Sequence, residues 1–339
     1  MFWTFPFLKF YLQTYFSYIT TAVMKAYRLF PNETQLRLVE IELSQPSVGE
    51  VLIKVQACGL CHSDCHILHG AGWVKRPITL GHEVAGEIVD LGKGVLGFQI
   101  GDRVAVALIA PSSAIGLDFD GGFAEYALVP AQNLVGIPSK VSFEQAAVAT
   151  DAALTAYNAV IIEANVKAST TVAILGLGGL GLFGLKFATL QGATVYGIDI
   201  EESKFAAAYD SGARACGSSL ESFKDVVFDT IIDFVGLTAT VAAAVASVKR
   251  KGRVVLVGLG ATEVTLPTFP IVYKQIEIKG SLGGNKDGLV VVLDLISEGK
   301  IAPTLEEIPF SEISQGFSRL ESGQVDGRLF TRPNGTSSH

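Results

Sequence analysis

Cysteine is scarce in this chain: four in 339 residues, with Cys58, Cys61 and Cys65 in one short stretch. Thiols so few and so close cannot cross-link distant elements, which excludes a disulfide framework and leaves thiol or metal chemistry in a reducing compartment. Basic side chains are also outnumbered, 26 Lys and Arg against 33 Asp and Glu, and their one cluster runs from Lys249 to Arg253. A nucleic-acid partner needs a broad basic face to neutralise phosphates, so none is expected. Long apolar runs are missing beyond the first residues. The 49% hydrophobic content is spread over short Val, Ile, Ala and Gly runs, which argues against a polytopic membrane protein.

Residues Met1 to Val23 read differently from the rest, being crowded with Phe, Tyr and Trp around a single charge, Lys9. As a signal peptide the stretch lacks a basic start and a continuous aliphatic core, and Pro6 and Gln13 interrupt it as a membrane span. It is read as a non-native or upstream start preceding Met24, with an interfacial anchor as the alternative and the only expected membrane contact.

From Lys25 to about Val141, short alternating runs such as VLIKVQACG (Val51 to Gly59) and EVAGEIVDLG (Glu83 to Gly92) are separated by Gly, Pro and Asp turns, a β-rich pattern. At Ser142 the texture changes. SFEQ is a capping box, with the Ser142 hydroxyl placed to accept an early backbone N–H and Gln145 to reach back, so a helix starts there. Beyond it TVAILG, TVYGID, DTIIDFVG and RVVLVGLG alternate with helix-like segments, which implies a parallel sheet covered on both faces. The fold class is α/β, with a β-rich domain over 24–147 and 284–339 and a doubly wound cofactor domain over 148–283.

The run TVAILGLGGLGLFGLKFATLQGATVYGID is a strand, a glycine-rich turn, a helix and a second strand ending in an acid. Gly176, Gly178 and Gly181 satisfy the dinucleotide fingerprint, and Gly179 and Leu180 complete the turn that faces the pyrophosphate. Asp199 falls where an acid accepts hydrogen bonds from the adenosine ribose and repels a 2'-phosphate, which favours NAD over NADP. The competing reading is an Ala/Gly-rich buried helix with no ligand.

Four of the five histidines, His62, His66, His69 and His82, stand beside three of the four cysteines. Such crowding supplies thiolate and imidazole ligands for a borderline-soft ion such as zinc. Three readings compete: a closed structural zinc or iron–sulfur site, Cys and His as ordinary core residues, and an open catalytic zinc site with ligands distant in sequence.

The ordered set CGLCHSDCH, GHEVAG, GDRV, GGFAEY, DAALTAY and GLGGLG resembles the zinc-containing alcohol dehydrogenases of the medium-chain dehydrogenase/reductase family, from Met24 to about Arg332. The resemblance implies a GroES-like catalytic domain completed by C-terminal residues and joined to a Rossmann domain, with the site between them. It makes Cys61 and His82 zinc ligands and puts Asp151 where the family usually has a third, Cys, ligand. It places Glu83 as a carboxylate that approaches the metal during ligand exchange, Ser63 on the substrate oxygen, and His66 at the outer end of a proton relay. His62 and Arg328 fall on the cofactor pyrophosphate, Thr155 on the nicotinamide, and Lys204 beside Asp199 on the adenosine ribose. Asp64 orients ligands, and Trp73 and Leu108 line the substrate pocket, although each fits core packing equally.

The family's lobe of four cysteines after GDRV has no counterpart here, so one catalytic zinc per subunit and no structural zinc is expected. The implied activity is reversible NAD-linked oxidation of a primary or secondary alcohol. Zinc polarises the alcohol oxygen, the proton leaves through Ser63, a cofactor ribose hydroxyl and His66, and hydride passes to the nicotinamide. The alternatives are a zinc-free medium-chain reductase acting on an activated C=C bond, a quinone or an imine, and a non-catalytic NAD-binding protein. A cytoplasmic homodimer or homotetramer acting on a small alcohol or carbonyl compound is expected.

Overall fold

The computed structural model describes residues 22–109 and 113–335. The aromatic N-terminal stretch lies outside them apart from Ala22 and Val23. Val23 already opens the strand Val23–Leu29, which pairs antiparallel with Arg37–Glu42.

The β-rich part is built on a seven-stranded sheet whose central strand, Glu50–Gly59, is buried along most of its length. That strand pairs antiparallel with Glu83–Leu91, with Tyr126–Pro130 and with the late strand Arg328–Thr331, through Phe330 opposite Gly59. Leu305–Ile308 lies parallel to Arg328–Thr331 on the outer side. The alternating runs of the sequence thus become an antiparallel sheet, and one strand arrives from the far end of the chain. Its inward side chains, among them Ile53, Val84, Ile88, Phe123 and Leu329, form one continuous core with Leu60 and Ile67.

The second sheet has six parallel strands in the order Ala215–Gly217, Thr194–Ile198, Thr171–Leu175, Phe228–Asp233, Val248–Leu256, Glu277–Gly280. Numbered along the chain this is 3-2-1-4-5-6, the doubly wound arrangement that binds dinucleotides where the strand order reverses. The reversal falls at Thr171–Leu175, the strand that feeds the glycine-rich turn.

Between the sheets runs the helical stretch Phe143–Glu163. Its first turn is capped as the sequence predicts, with Gln145 N–H donating to Ser142 Oγ (3.4 Å) and Ser142 N–H to Gln145 Oε1 (3.0 Å). The stretch is not one regular helix. It widens to π turns at Ala149–Ala153 and Asn158–Glu163, on either side of the α turn Leu154–Tyr157. Such widenings are uncommon and concentrate at functional sites; the first carries Asp151.

Where the family carries its cysteine lobe, the described chain after Val106 is held by polar side chains. Buried Asn133 donates to the carbonyls of Ala107 (3.2 Å) and Ser113 (2.6 Å), and Asp118 accepts the N–H of Ala114 (2.8 Å). Asp120 accepts from Thr79 N–H and from Arg28. No helix among the described residues is long and apolar enough to cross a membrane.

Candidate metal and dinucleotide site

Three segments converge on one point. Cys61 is the N-cap of the short helix His62–Leu68, His82 directly precedes the strand Glu83–Leu91, and Asp151 hangs from the π turn. Donor atoms of Cys61, His82, Glu83 and Asp151 all lie within 4.8 Å of one another, and all four residues are buried. Asp151 Oδ2 is 3.4 Å from His82 Nε2 and 3.5 Å from Cys61 Sγ. A tetrahedral ion with bonds of about 2.0–2.3 Å sets its ligands roughly 3.3–3.8 Å apart, so these donors are already spaced for zinc.

The donors also act on one another through their charges. Burial works against a charged His82, yet the charge of Asp64 and the contacts with Asp151 and Asp64 raise it above the usual imidazole range. Burial would raise Asp151 too, but His82, Arg328 and the Thr155 hydroxyl hold it well below the usual carboxylate range. Around them, Asp64 lies 3.4 Å from His82 Nδ1 and accepts the Cys61 N–H at 3.3 Å, the kind of outer support that orients metal-binding imidazoles.

Glu83 is fully buried, and Arg328 donates to its Oε1, closing a pair between the first residue of one strand and the first residue of another. Burial pushes the Glu83 carboxyl up to about 8, against the pull of Arg328. Its carboxylate lies over Gly59, where a Cβ would meet Glu83 Oε2 at 1.9 Å. Gly59 is a site residue missed by the sequence reading. A lone glycine inside a strand does signal a close approach, but only the cross-strand register shows what approaches.

The other predicted residues spread around this centre. Ser63 sits in the first turn of its helix with Oγ 3.6 Å from Cys61 Sγ. Thr155 donates from Oγ1 to Asp151 at 2.8 Å, so its hydroxyl serves the carboxylate. His66 packs on Trp73 with ring centroids 5.8 Å apart; Trp73 is 45% exposed, whereas Leu108 is buried. His62 Nε2 is 3.1 Å from the carbonyl of Leu320, and partial desolvation together with Arg328 lowers its pKa although the residue as a whole is exposed. Arg328, which the resemblance put on the pyrophosphate, points inward to Glu83.

In the dinucleotide turn, Gly176 has φ +84°, and Gly178 is the N-cap of the helix Gly179–Leu190, whose second and third residues are Leu180 and Gly181. A Cβ on Gly181 would lie 1.7 Å from the Gly176 carbonyl oxygen, so this helix packs on the turn through bare backbone. Its first N–H groups are free to meet a phosphate. Asp199, at the end of the next strand, accepts from Leu177 N–H (2.7 Å) and Glu201 N–H (3.0 Å), and Lys204 Nζ lies 3.4 Å from both of its oxygens.

A parallel sheet with a dinucleotide turn, beside a buried Cys, His and Asp set under a GroES-like sheet, defines a metal- and dinucleotide-dependent oxidoreductase. Comparison with known proteins narrows the class. Residues 47–139 match the alcohol dehydrogenase GroES-like domain, and residues 179–298 match the zinc-binding dehydrogenase domain. The chain is 32% identical over 336 residues to an alcohol dehydrogenase of Geobacillus stearothermophilus, covering 90% of this chain and 98% of the relative. It is 30% identical to an NAD-dependent alcohol dehydrogenase of Sulfurisphaera tokodaii, covering 91% of this chain and all of the relative. Among solved structures it is similar to the acetophenone reductase of Geotrichum candidum in complex with NAD, with TM-score 0.86, 31% identity, and coverage of 91% and 97%. It is also similar to a cobalt- and zinc-bound thermostable alcohol dehydrogenase from Pyrobaculum aerophilum, with TM-score 0.85, 29% identity, and coverage of 92% and 100%. The chain belongs to the zinc-type medium-chain dehydrogenase/reductase family, as an oxidoreductase of the alcohol dehydrogenase type.

Proposed function

We propose that this protein catalyses the reversible NAD-linked oxidation of a primary or secondary alcohol to an aldehyde or ketone, at a single zinc held by Cys61, His82 and Asp151. The observation that carries the reading is the convergence of those three donors, with Glu83, at ligand spacing in a buried site. When bound, zinc supplies a Lewis acid for the substrate oxygen and NAD supplies the hydride acceptor.

The protein's own residues then position charge and protons. Asp64 accepts the Cys61 backbone N–H and lies against the His82 ring, 3.4 Å from Nδ1, which supports the donors from outside. Ser63, beside Cys61, takes the proton of the substrate hydroxyl, and His66, half-buried against Trp73, stands nearer solvent to release it. Trp73 and Leu108 border the cleft the substrate enters, and Thr155, which fixes Asp151, would contact the nicotinamide when the cofactor binds. The N–H groups of Gly179, Leu180 and Gly181 and the side chain of His62 receive the diphosphate. Asp199 and Lys204 receive the adenosine ribose, and the negative charge of Asp199 and Glu201 there supports NAD over NADP.

The edge strand Glu277–Gly280, with exposed Phe269, Val272, Tyr273 and Leu282 nearby, supports a homodimer or homotetramer formed through the cofactor domain. Free thiols and NAD use are consistent with a cytoplasmic enzyme.

The test is elemental mass spectrometry on purified wild type and Asp151→Ala, with NADH formation followed over a panel of primary and secondary alcohols. About one zinc per subunit, lost in the variant together with activity, is the expected result. Metal-free protein that still reduces activated alkenes or quinones would overturn it.

A further inference from the structure

The peptide that leads into His82 is gripped by backbone as well as by side chains. Gly81, directly before it, has φ +93°, and a Cβ there would meet Cys58 Sγ at 2.7 Å and the Phe123 ring at 2.9 Å. Gly116 comes closer still to the backbone: its Cβ would lie 2.7 Å from the Gly81 carbonyl oxygen and 3.0 Å from the His82 nitrogen. A ladder runs alongside, in which Gly121 N–H donates to the Thr79 carbonyl (2.8 Å), Gly122 N–H to the Gly81 carbonyl (2.8 Å) and Phe123 N–H to the Leu80 carbonyl (3.0 Å). The segment that stands where the family has its cysteine lobe is therefore packed directly on the peptide that aims the His82 imidazole.

No cysteine shapes that segment; hydrogen bonds do. Buried Gly116, at φ +74°, donates its N–H to the Phe119 carbonyl (2.9 Å). Asp118 closes the turn twice, accepting the Ala114 N–H on its carboxylate and donating its own N–H to the Ala114 carbonyl, both at 2.8 Å. Close-packed interiors transmit displacement rather than absorb it. A methyl group at Gly116 would press on peptide atoms, which no side-chain rotation can clear, and metal–ligand distances tolerate only about 0.2 Å.

We propose that the turn 114–119, held against the Gly81–His82 peptide through Gly116, is a positioning element of the metal site: it fixes where the His82 imidazole stands, and so sets zinc affinity, without contributing a ligand. The inference rests on the zinc reading above.

The experiment compares Gly116→Ala with Gly97→Ala. Gly97 has nearly the same backbone, φ +83°, but nothing within 4 Å of its Cβ position, so the two variants share the left-handed strain and differ in the contact. Zinc affinity is read by competition with a chromophoric chelator, the ligand field by the visible spectrum of the cobalt-substituted protein, and dinucleotide binding by titration with ADP-ribose. Gly116→Ala should bind zinc at least about tenfold more weakly and shift the cobalt bands, with ADP-ribose affinity within about twofold of the wild type, whereas Gly97→Ala should leave all three unchanged. If Gly116→Ala does not fold, Asp118→Ala removes the closing hydrogen bond without adding an atom and should weaken zinc about threefold or more in the same assay. Unchanged zinc affinity in Gly116→Ala or, in its place, Asp118→Ala would overturn the proposal, as would an equal loss in Gly97→Ala. A wild type that takes up no zinc at all would defeat the underlying reading and this positioning role with it.

Discussion

Adding a single methyl group at Gly59 tests whether the carboxylate of Glu83 is pinned. In Gly59→Ala the new Cβ would meet Glu83 Oε2 at 1.9 Å and Glu83 Cβ and Cδ at 2.9 Å. Glu83 cannot withdraw without a cost: it is fully buried, its backbone is registered opposite Gly59 in the sheet, and its other oxygen is held by Arg328. Overpacking a rigid site costs about 1–3 kcal/mol. The clash involves Glu83 Cβ as well as its carboxylate, so a loss toward the upper end of that range, about 2–3 kcal/mol, is expected. Urea denaturation followed by circular dichroism reads it against the wild type. In Glu83→Ala the 1.9 Å contact is gone, so adding Gly59→Ala to that background should cost clearly less than it does in the wild type. A loss under about 1 kcal/mol for Gly59→Ala alone would mean that the carboxylate has another resting place, and the account of a pinned Glu83 would be wrong.

Two further outcomes follow from the geometry. Gly181→Ala puts a Cβ 1.7 Å from the Gly176 carbonyl oxygen, so the dinucleotide helix must retreat from its turn; NADH titrated by fluorescence should bind at least about tenfold more weakly, and binding within twofold of the wild type would refute the close packing. Asp229 accepts the Thr171 N–H at 2.6 Å and pairs with Lys249; burial opposes its ionisation, but these partners outweigh burial and hold the carboxyl below its usual range. A depressed carboxyl contributes stability above its unfolded pKa and loses it as pH falls through the folded one. Asp229→Asn should therefore cost about 0.5–1 kcal/mol at pH 7, a modest figure because the pair is partly exposed, and the difference should close once the pH falls below the lowered folded value. Urea melts at pH 7 and below that value check this, and an equal deficit at both would exclude the charge as its cause.

Much of the fold is legible in the residues themselves. Strands apolar on both faces, the Ser142 capping box and the spaced glycines are local patterns, and each appears in the structure near where the sequence places it. Cys61, His82 and Asp151 could be brought together only through resemblance to a family, because no periodicity links positions so far apart in the chain. Their local setting could not be read at all. The π turn at Asp151 looks in sequence like any Ala-rich helix, and the inward course of Arg328 depends on Glu83, its partner from a distant strand. Gly59 lies between these cases: its presence in a strand is a visible oddity, and its reason is a contact across the sheet.

The strand Arg328–Thr331 also has a bearing on how the protein is made. It is the closing partner of Glu50–Gly59, and it delivers the arginine that faces Glu83. On the ribosome, the early strands must wait, with one edge of their sheet open, while the whole parallel-sheet unit is synthesised and folds. Exposed sheet edges of this kind invite mispairing, and domains generally fold as units in order of emergence. Nascent chains stalled before Arg328 should hold a formed cofactor unit beside an incomplete partner, the stage at which a chaperone has most to protect.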